Sequence, residues 1–189
     1  MERFEGWLAR RAFHRRVRAA PRTAIRDLDD GALARITGRV VTLDGQTLAA
    51  PFTGKPCVYF SVSTMFHGSP PQLFGSNQQG VPFLLVSGDH RAVVEPDHAR
   101  MSLGTHHRTR SPATHFMYRQ NMNGYIERRE SVIAPGDELV IVGVGIGEPD
   151  PERPPSALFR GTTARRFRFT GSEDAPLLVS DEPGLFSTD

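Results

Sequence analysis

The sequence predicts a mainly β fold, an antiparallel OB-like or barrel-like sheet preceded by a single α-helix. Three observations carry that prediction. Beyond residue 26 the chain breaks into short alternating or β-branched runs bounded by Gly, Pro and Asp. No stretch there reads as a second helix. The first 20 residues, by contrast, hold no interior proline or β-branched run, and Pro21 stops them.

The helix covers "ERFEGWLARRAFHRRVRAA", residues 2–20. At 100° per residue Phe4, Trp7, Leu8, Ala12 and Ala19 share one side, but Arg11, Arg15 and Arg18 share it too. One reading docks the helix on the domain through Phe4, Trp7 and Leu8. A sharper reading offers this side to an anionic partner, with Arg10, Arg11, Arg15, Arg16 and Arg18 supplying charge and the three apolar residues supplying burial. The first, with the arginines left to solvent, is the plainer of the two; the second is motivated by charge. Residues 1–26 carry +6 while the whole chain carries +2, so the remainder sums to −4.

"ALARITGRVVTL" (32–43) is a long strand, and Asp44-Gly45 marks a hairpin turn. In "CVYFSVSTMF" (57–66), Val58, Phe60, Val62 and Phe66 alternate with Tyr59, Ser61, Ser63 and Met65, so one face is buried. "HGSPPQLFGSNQQG" (67–80) reads as a polar loop. "VPFLLVSGDHRAVVEP" (81–96) is strand, turn, strand. Asn123-Gly124 predicts a hairpin between "HFMYRQ" and "YIERRE". "ELVIVGVGI" (138–146), "RRFRF" (165–169) and "PLLVSD" (176–181) complete the strands. The organisation is therefore an Arg-rich helix at 1–26, a β domain at 27–184 and a tail at 185–189.

The candidate chemical groups argue against catalysis. Cys57, the single cysteine, opens an alternating strand, where a thiol packs as a small apolar residue; Cys57, Val58, Phe60 and Val62 are assigned to the core. One cysteine excludes any zinc site needing two thiolates from this chain. His98, His106, His107 and His115 show no metal-ligand spacing, and they read as solvent-facing. Gly143, Gly145 and Gly147 lack the dinucleotide spacing and read as relief for a coiled strand. Asp89, Glu130, Asp137 and Glu138 sit beside turns, where acids aid solubility. Arg166 and Arg168 interleave with Phe167 and Phe169, which fits either a stacking platform for single strands or a half-buried strand with arginines outward; the second is favoured. No metal or cofactor is called for.

The landmarks, in order, resemble the GIDE-type domain of membrane-anchored mitochondrial E3 ubiquitin ligases and their prokaryotic relatives. The blocks are "ITGRVVTLDGQTLAAPFTGKPCVYFSV" (36–62), "FLLVSGDHRAVVEP" (83–96), "ESVIAPGDELVIVGVG" (130–145) and "PLLVSDEPG" (176–184). The resemblance spans residues 31–182 and implies a fold and a role in protein contacts or near membranes. It also implies a non-catalytic cysteine at Cys57. Family members carry transmembrane helices and, in eukaryotes, a cysteine-rich RING. These 189 residues hold neither, so ligase activity does not transfer. The expectation is a cytoplasmic binding or scaffold module, peripheral to a membrane through residues 1–26, with a protein partner of unknown identity. A single-stranded nucleic-acid binder is the alternative, disfavoured by the net −4 of the β region; an enzyme of unknown reaction ranks third.

Overall fold

A computed structural model describes residues 2–68, 71–112, 124–152 and 165–186, with side chains from residue 8 onward. It contains one α-helix, α1 (Glu2–Ala19), followed by β1 (Leu33–Thr42), β2 (Leu48–Ala49), β3 (Pro56–Cys57), β4 (Tyr59–His67) and β5 (Gln72–Gly80). Next come β6 (Phe83–Ser87), β7 (His90–Val94), β8 (Ala99–Ser102), β9 (His107–Pro112), β10 (Tyr125–Ile133), β11 (Glu138–Pro149), β12 (Arg165–Phe169) and β13 (Leu177–Ser180). The fold is mainly β, as the sequence predicts.

Two compact units divide the chain. The first comprises residues 1–46, 82–103 and 135–189; the second comprises 47–81 and 104–134.

The first unit is a closed five-stranded barrel in the order β1–β6–β7–β12–β11, with β11 pairing back onto β1. Inward positions follow from the pairings. Ala34, Ile36 and Val40 on β1 face Gly143, Ile141 and Leu85; Phe169 on β12 faces both Val94 and Gly145. Phe83, Phe169, Ile36, Leu85, Leu139 and Ile141 are fully buried. The closing contact between β7 and β12 is parallel, as is the β8–β13 pair beyond the barrel. The sequence pattern pointed to antiparallel pairing throughout, because alternation reports which face is buried and not which neighbour pairs.

The glycines of "GVGIG" have a reason other than a bulge. A Cβ on Gly145 would lie 2.9 Å from Phe169 Cζ, and one on Gly143 would collide with Leu177. They are small because large side chains take the space they leave, while Val144 and Ile146 between them point outward and are exposed.

Helix α1 covers the barrel through its second half. Val17 and Ala20, with Phe13 alongside, pack on Val140, Val142, Leu178 and Leu185. Burying each of the larger side chains contributes roughly 1.5–3 kcal/mol. Pro21 ends the helix, and its carbonyl accepts from Arg35 N at 2.7 Å, so the chain passes straight into alignment with β1.

The second unit is a four-stranded antiparallel sheet, β5–β4–β10–β9, with the two-stranded β2–β3 ribbon. Asp44 and Gly45 adopt the positive φ values of a tight turn, 51° and 69°. Yet no hairpin follows: β1 pairs with β6 and β11, and β2 pairs with β3. Residues 72–80, expected as loop, form strand β5. It is an edge strand exposed along nearly its whole length, so no buried face imposes the alternation that would have revealed it. The hairpin half at 115–120 lies outside the described residues.

Gly38 lies where backbone closes on the barrel wall: a Cβ there would lie 2.6 Å from the carbonyl oxygen of Val86. Backbone cannot swing aside as a side-chain tip can, so Gly38→Ala is expected to cost about 1–3 kcal/mol. For a chain of this size that lowers Tm by about 2–4 °C per kcal/mol, to be read by thermal unfolding.

Candidate functional site

Cys57 is fully buried and unsuited to nucleophilic work. It packs with Ala50, Phe60 and Val132, with Leu48 and Val62 at the margin, and its Sγ sits 3.7 Å from the Leu48 carbonyl oxygen. Val58 is buried as well. Burial pushes the thiol pKa up, and the nearby Glu130 carboxylate pushes it further. Phe60 is buried in the same cluster, and Val62 is only partly buried.

Glu130 is not a surface acid beside a turn. It lies within β10, fully buried, and accepts hydrogen bonds from Phe52 N at 2.7 Å and Thr53 Oγ1 at 2.6 Å. It therefore pins the turn between β2 and β3. Asp89, beside the β6–β7 turn, and Glu138 are exposed.

Among the described residues, no three His, Cys, Asp or Glu side chains cluster as a metal site. His98 sits in a left-handed turn at φ 54° in the first unit, whereas His106 and His107 belong to the second. His106 Nδ1 accepts from Val132 N at 3.3 Å. His115 lies outside the described residues.

Strand β12 offers no stacking platform. Phe167 is 8% exposed and Phe169 0%. Arg166, expected outward, is itself buried, because Glu148 on the neighbouring strand takes its Nε at 2.6 Å. Arg168 bridges Glu148 and Glu95 at 2.8 and 2.5 Å. Burial alone would raise the Glu148 pKa, but hydrogen bonds from Arg168 and Arg166 outweigh it and lower the pKa.

The N-terminal helix is the most distinctive candidate surface. Among the described side chains the face toward the barrel is Phe13, Val17 and Ala20; Leu8, expected to dock, is 48% exposed, and the Phe4 and Trp7 side chains lie outside the described set. The opposite face carries Leu8, Arg11, Ala12, Arg15 and Arg18, all exposed. They line an open cleft of about 740 Å³. Arg16 is exposed on the flank. Arg10 belongs to the docking side, since its NH2 group contacts Glu182 Oε2 at 2.9 Å.

Glu182 is the latch of this docking, a role that its place after the "VSD" strand does not announce. It receives His14 Nε2 at 2.9 Å, Arg10 at 2.9 Å and Ser102 Oγ at 2.5 Å, while its own N–H donates to Ser180 Oγ. Burial pushes its pKa up, but the hydrogen bonds from Arg10, Ser102 and His14 prevail and bring it to about 2.

A second cleft in the first unit, about 390 Å³, is lined by Arg22, Arg39, Ser87 and Glu138 among others. Its Arg39–Glu138 pair is 4.0 Å apart with both side chains 67% exposed, so no polar group is held in a fixed aim.

The fold and site define a closed β-barrel protein with a docked, basic N-terminal helix. Compared with known family models, curated proteins and solved structures, the chain matches none. No helix among the described residues is long and apolar enough to cross a membrane.

Two outcomes follow. The Cys57 thiol is expected to react with a disulfide reagent at least about tenfold more slowly in the native protein than in urea, measured by absorbance. The Glu182 latch is present in full above about pH 4.5, because its pKa is lowered on folding, and is lost as pH falls towards about 2. Amide exchange at residues 13–20 should therefore rise across that window before the barrel amides follow. Glu182→Gln should already show the raised exchange at pH 7.

Proposed function

We propose that this protein is a non-catalytic binding module that attaches peripherally to anionic membrane surfaces through helix α1. The observation that supports it most directly is the orientation of the helix. Its Phe13 and Val17 side is committed to the barrel, and the opposite side, with Leu8 exposed among Arg11, Arg15 and Arg18, is left to solvent. A helix with an apolar residue ringed by arginines suits the headgroup boundary. Each arginine near such a surface contributes about 1 kcal/mol.

The barrel is read here as OB-type. Numbered among themselves, its strands run 1-2-3-5-4 and close on 1, a Greek-key order. Together with the sequence blocks, this supports a GIDE-type scaffold. In that role the barrel carries protein contacts and the helix stands where relatives carry transmembrane segments. A cytoplasmic location suits this reading. Burial of Phe167 and Phe169 weighs against single-stranded nucleic acid on β12.

The test is co-sedimentation with vesicles of phosphatidylserine and phosphatidylcholine, against phosphatidylcholine alone. The protein is expected to pellet with the anionic vesicles only, less so at high salt. Substituting Arg15, Arg16 and Arg18 together by Gln removes about 3 kcal/mol, and so weakens binding about a hundredfold. Arg39→Gln, away from the helix, should leave binding unchanged. Equal pelleting of the triple variant, or none by the native protein at low salt, overturns the membrane contact.

A further inference from the structure

In the second unit a buried acid gathers more positive charge than it can neutralise. Glu127 on β10 has no exposed side-chain surface, and three guanidiniums converge on its two oxygens. Arg108 donates to Oε2 at 2.6 Å through NH2, Arg110 donates to the same oxygen at 2.9 Å, and Arg129 donates to Oε1 at 2.5 Å. One arginine suffices to neutralise a buried carboxylate; a second and a third add repulsion. The register sharpens the point, because Arg129 lies directly opposite Arg108 in the β9–β10 ladder, where like charges destabilise a sheet. The three side chains remain about half exposed, at 46%, 55% and 46%. Each guanidinium has five N–H donors, far more in total than the few lone pairs of one carboxylate. Arg110 is also held in place from the side: it lies 5.2 Å over the Tyr125 ring, which stacks on His67 at 4.7 Å.

We propose that Arg108, Arg110 and Arg129, set in place by buried Glu127, form a binding site for a compact phosphate-bearing anion on the β9–β10 face. Glu127 fixes the geometry and leaves a surplus of about two positive charges. Guanidinium forks match the paired oxygens of a phosphoryl group. The residual repulsion between Arg108 and Arg129 is then relieved only when the anion is bound. Such an imbalance of local electrostatics is a mark of a functional site.

The test is isothermal titration of the full chain with pyrophosphate, with sulfate and a dT20 oligonucleotide in parallel. Pyrophosphate is expected to bind at least tenfold more tightly than sulfate. Arg108→Gln with Arg129→Gln, which leaves Arg110 to neutralise Glu127, should lower pyrophosphate affinity at least tenfold while thermal stability holds or rises. A structural role alone would lower stability and leave no affinity to lose. Should the double variant fold poorly, the Nε resonances of Arg108 and Arg129 in the native protein must move on addition of pyrophosphate. No binding, equal binding of sulfate, unmoved resonances, or binding of dT20 alone would each overturn the proposal, the last in favour of a nucleic-acid face.

Discussion

The barrel depends on one strand having two edges and three partners. Strand β11 is twelve residues long; its first half pairs with β1 on one edge and β13 on the other, and its second half pairs with β12. Closure follows because β12 in turn reaches β7. Such a strand must bend, and it must leave room for Leu177 beside Gly143 and for the ring of Phe169 beside Gly145, which is why glycines stand there. Its outward face changes character along its length. Val140 and Val142 lie under α1, while Val144 and Ile146, one and two pleats further on, are exposed. Closure, interior packing and the seat of the helix are thus set by one run of alternating residues.

The acids play a part the composition does not announce. With 23 basic and 21 acidic residues, the chain is nearly balanced, and the balance is local. Glu148 ties two β12 arginines to β11, Glu182 ties α1 to the β13 end of the barrel, Glu130 fixes the β2–β3 turn, and Glu127 gathers three arginines. Each carboxylate gains hydrogen bonds that offset its removal from water. An isolated exposed ion pair, such as Arg26–Asp27, contributes little by comparison.

How far the sequence could be read follows from what burial imprints on it. Strands with one face in a core, such as "FLLVSGDHRAVV", announced both themselves and their turn. Strand β5 did not, because an exposed edge constrains neither face. The Asp44-Gly45 turn was visible, but its consequence was not, since turn chemistry fixes local φ and says nothing of which strand pairs next. The helix was visible, yet Leu8 proved exposed where docking was expected, and Phe13, Val17 and Ala20 take the contact. Periodicity alone cannot choose the docked side, because the barrel surface that receives it comes from distant parts of the chain. Glu130 read as an acid beside a turn, and nothing in "YIERRESVI" singled out Glu127; that both are buried depends on neighbours from distant parts of the chain.

The docking of α1 also bears on the proposed membrane contact. A free helix could turn the side of Phe13 and Val17 toward lipid. The Glu182 contacts with Arg10 and His14 reserve that side for the barrel. Among the described residues the outward side, Leu8 and Ala12 with Arg11, Arg15 and Arg18, is richer in charge than in apolar area, so the proposed attraction would come mainly from counter-charge and only secondarily from burial. Electrostatic attachment of that kind is reversible and salt-sensitive, whereas insertion is neither. On the proposed reading the latch therefore bears on function as well as on stability. It holds the helix with Arg11, Arg15 and Arg18 outward, the arrangement that a helix resting on an anionic surface would need.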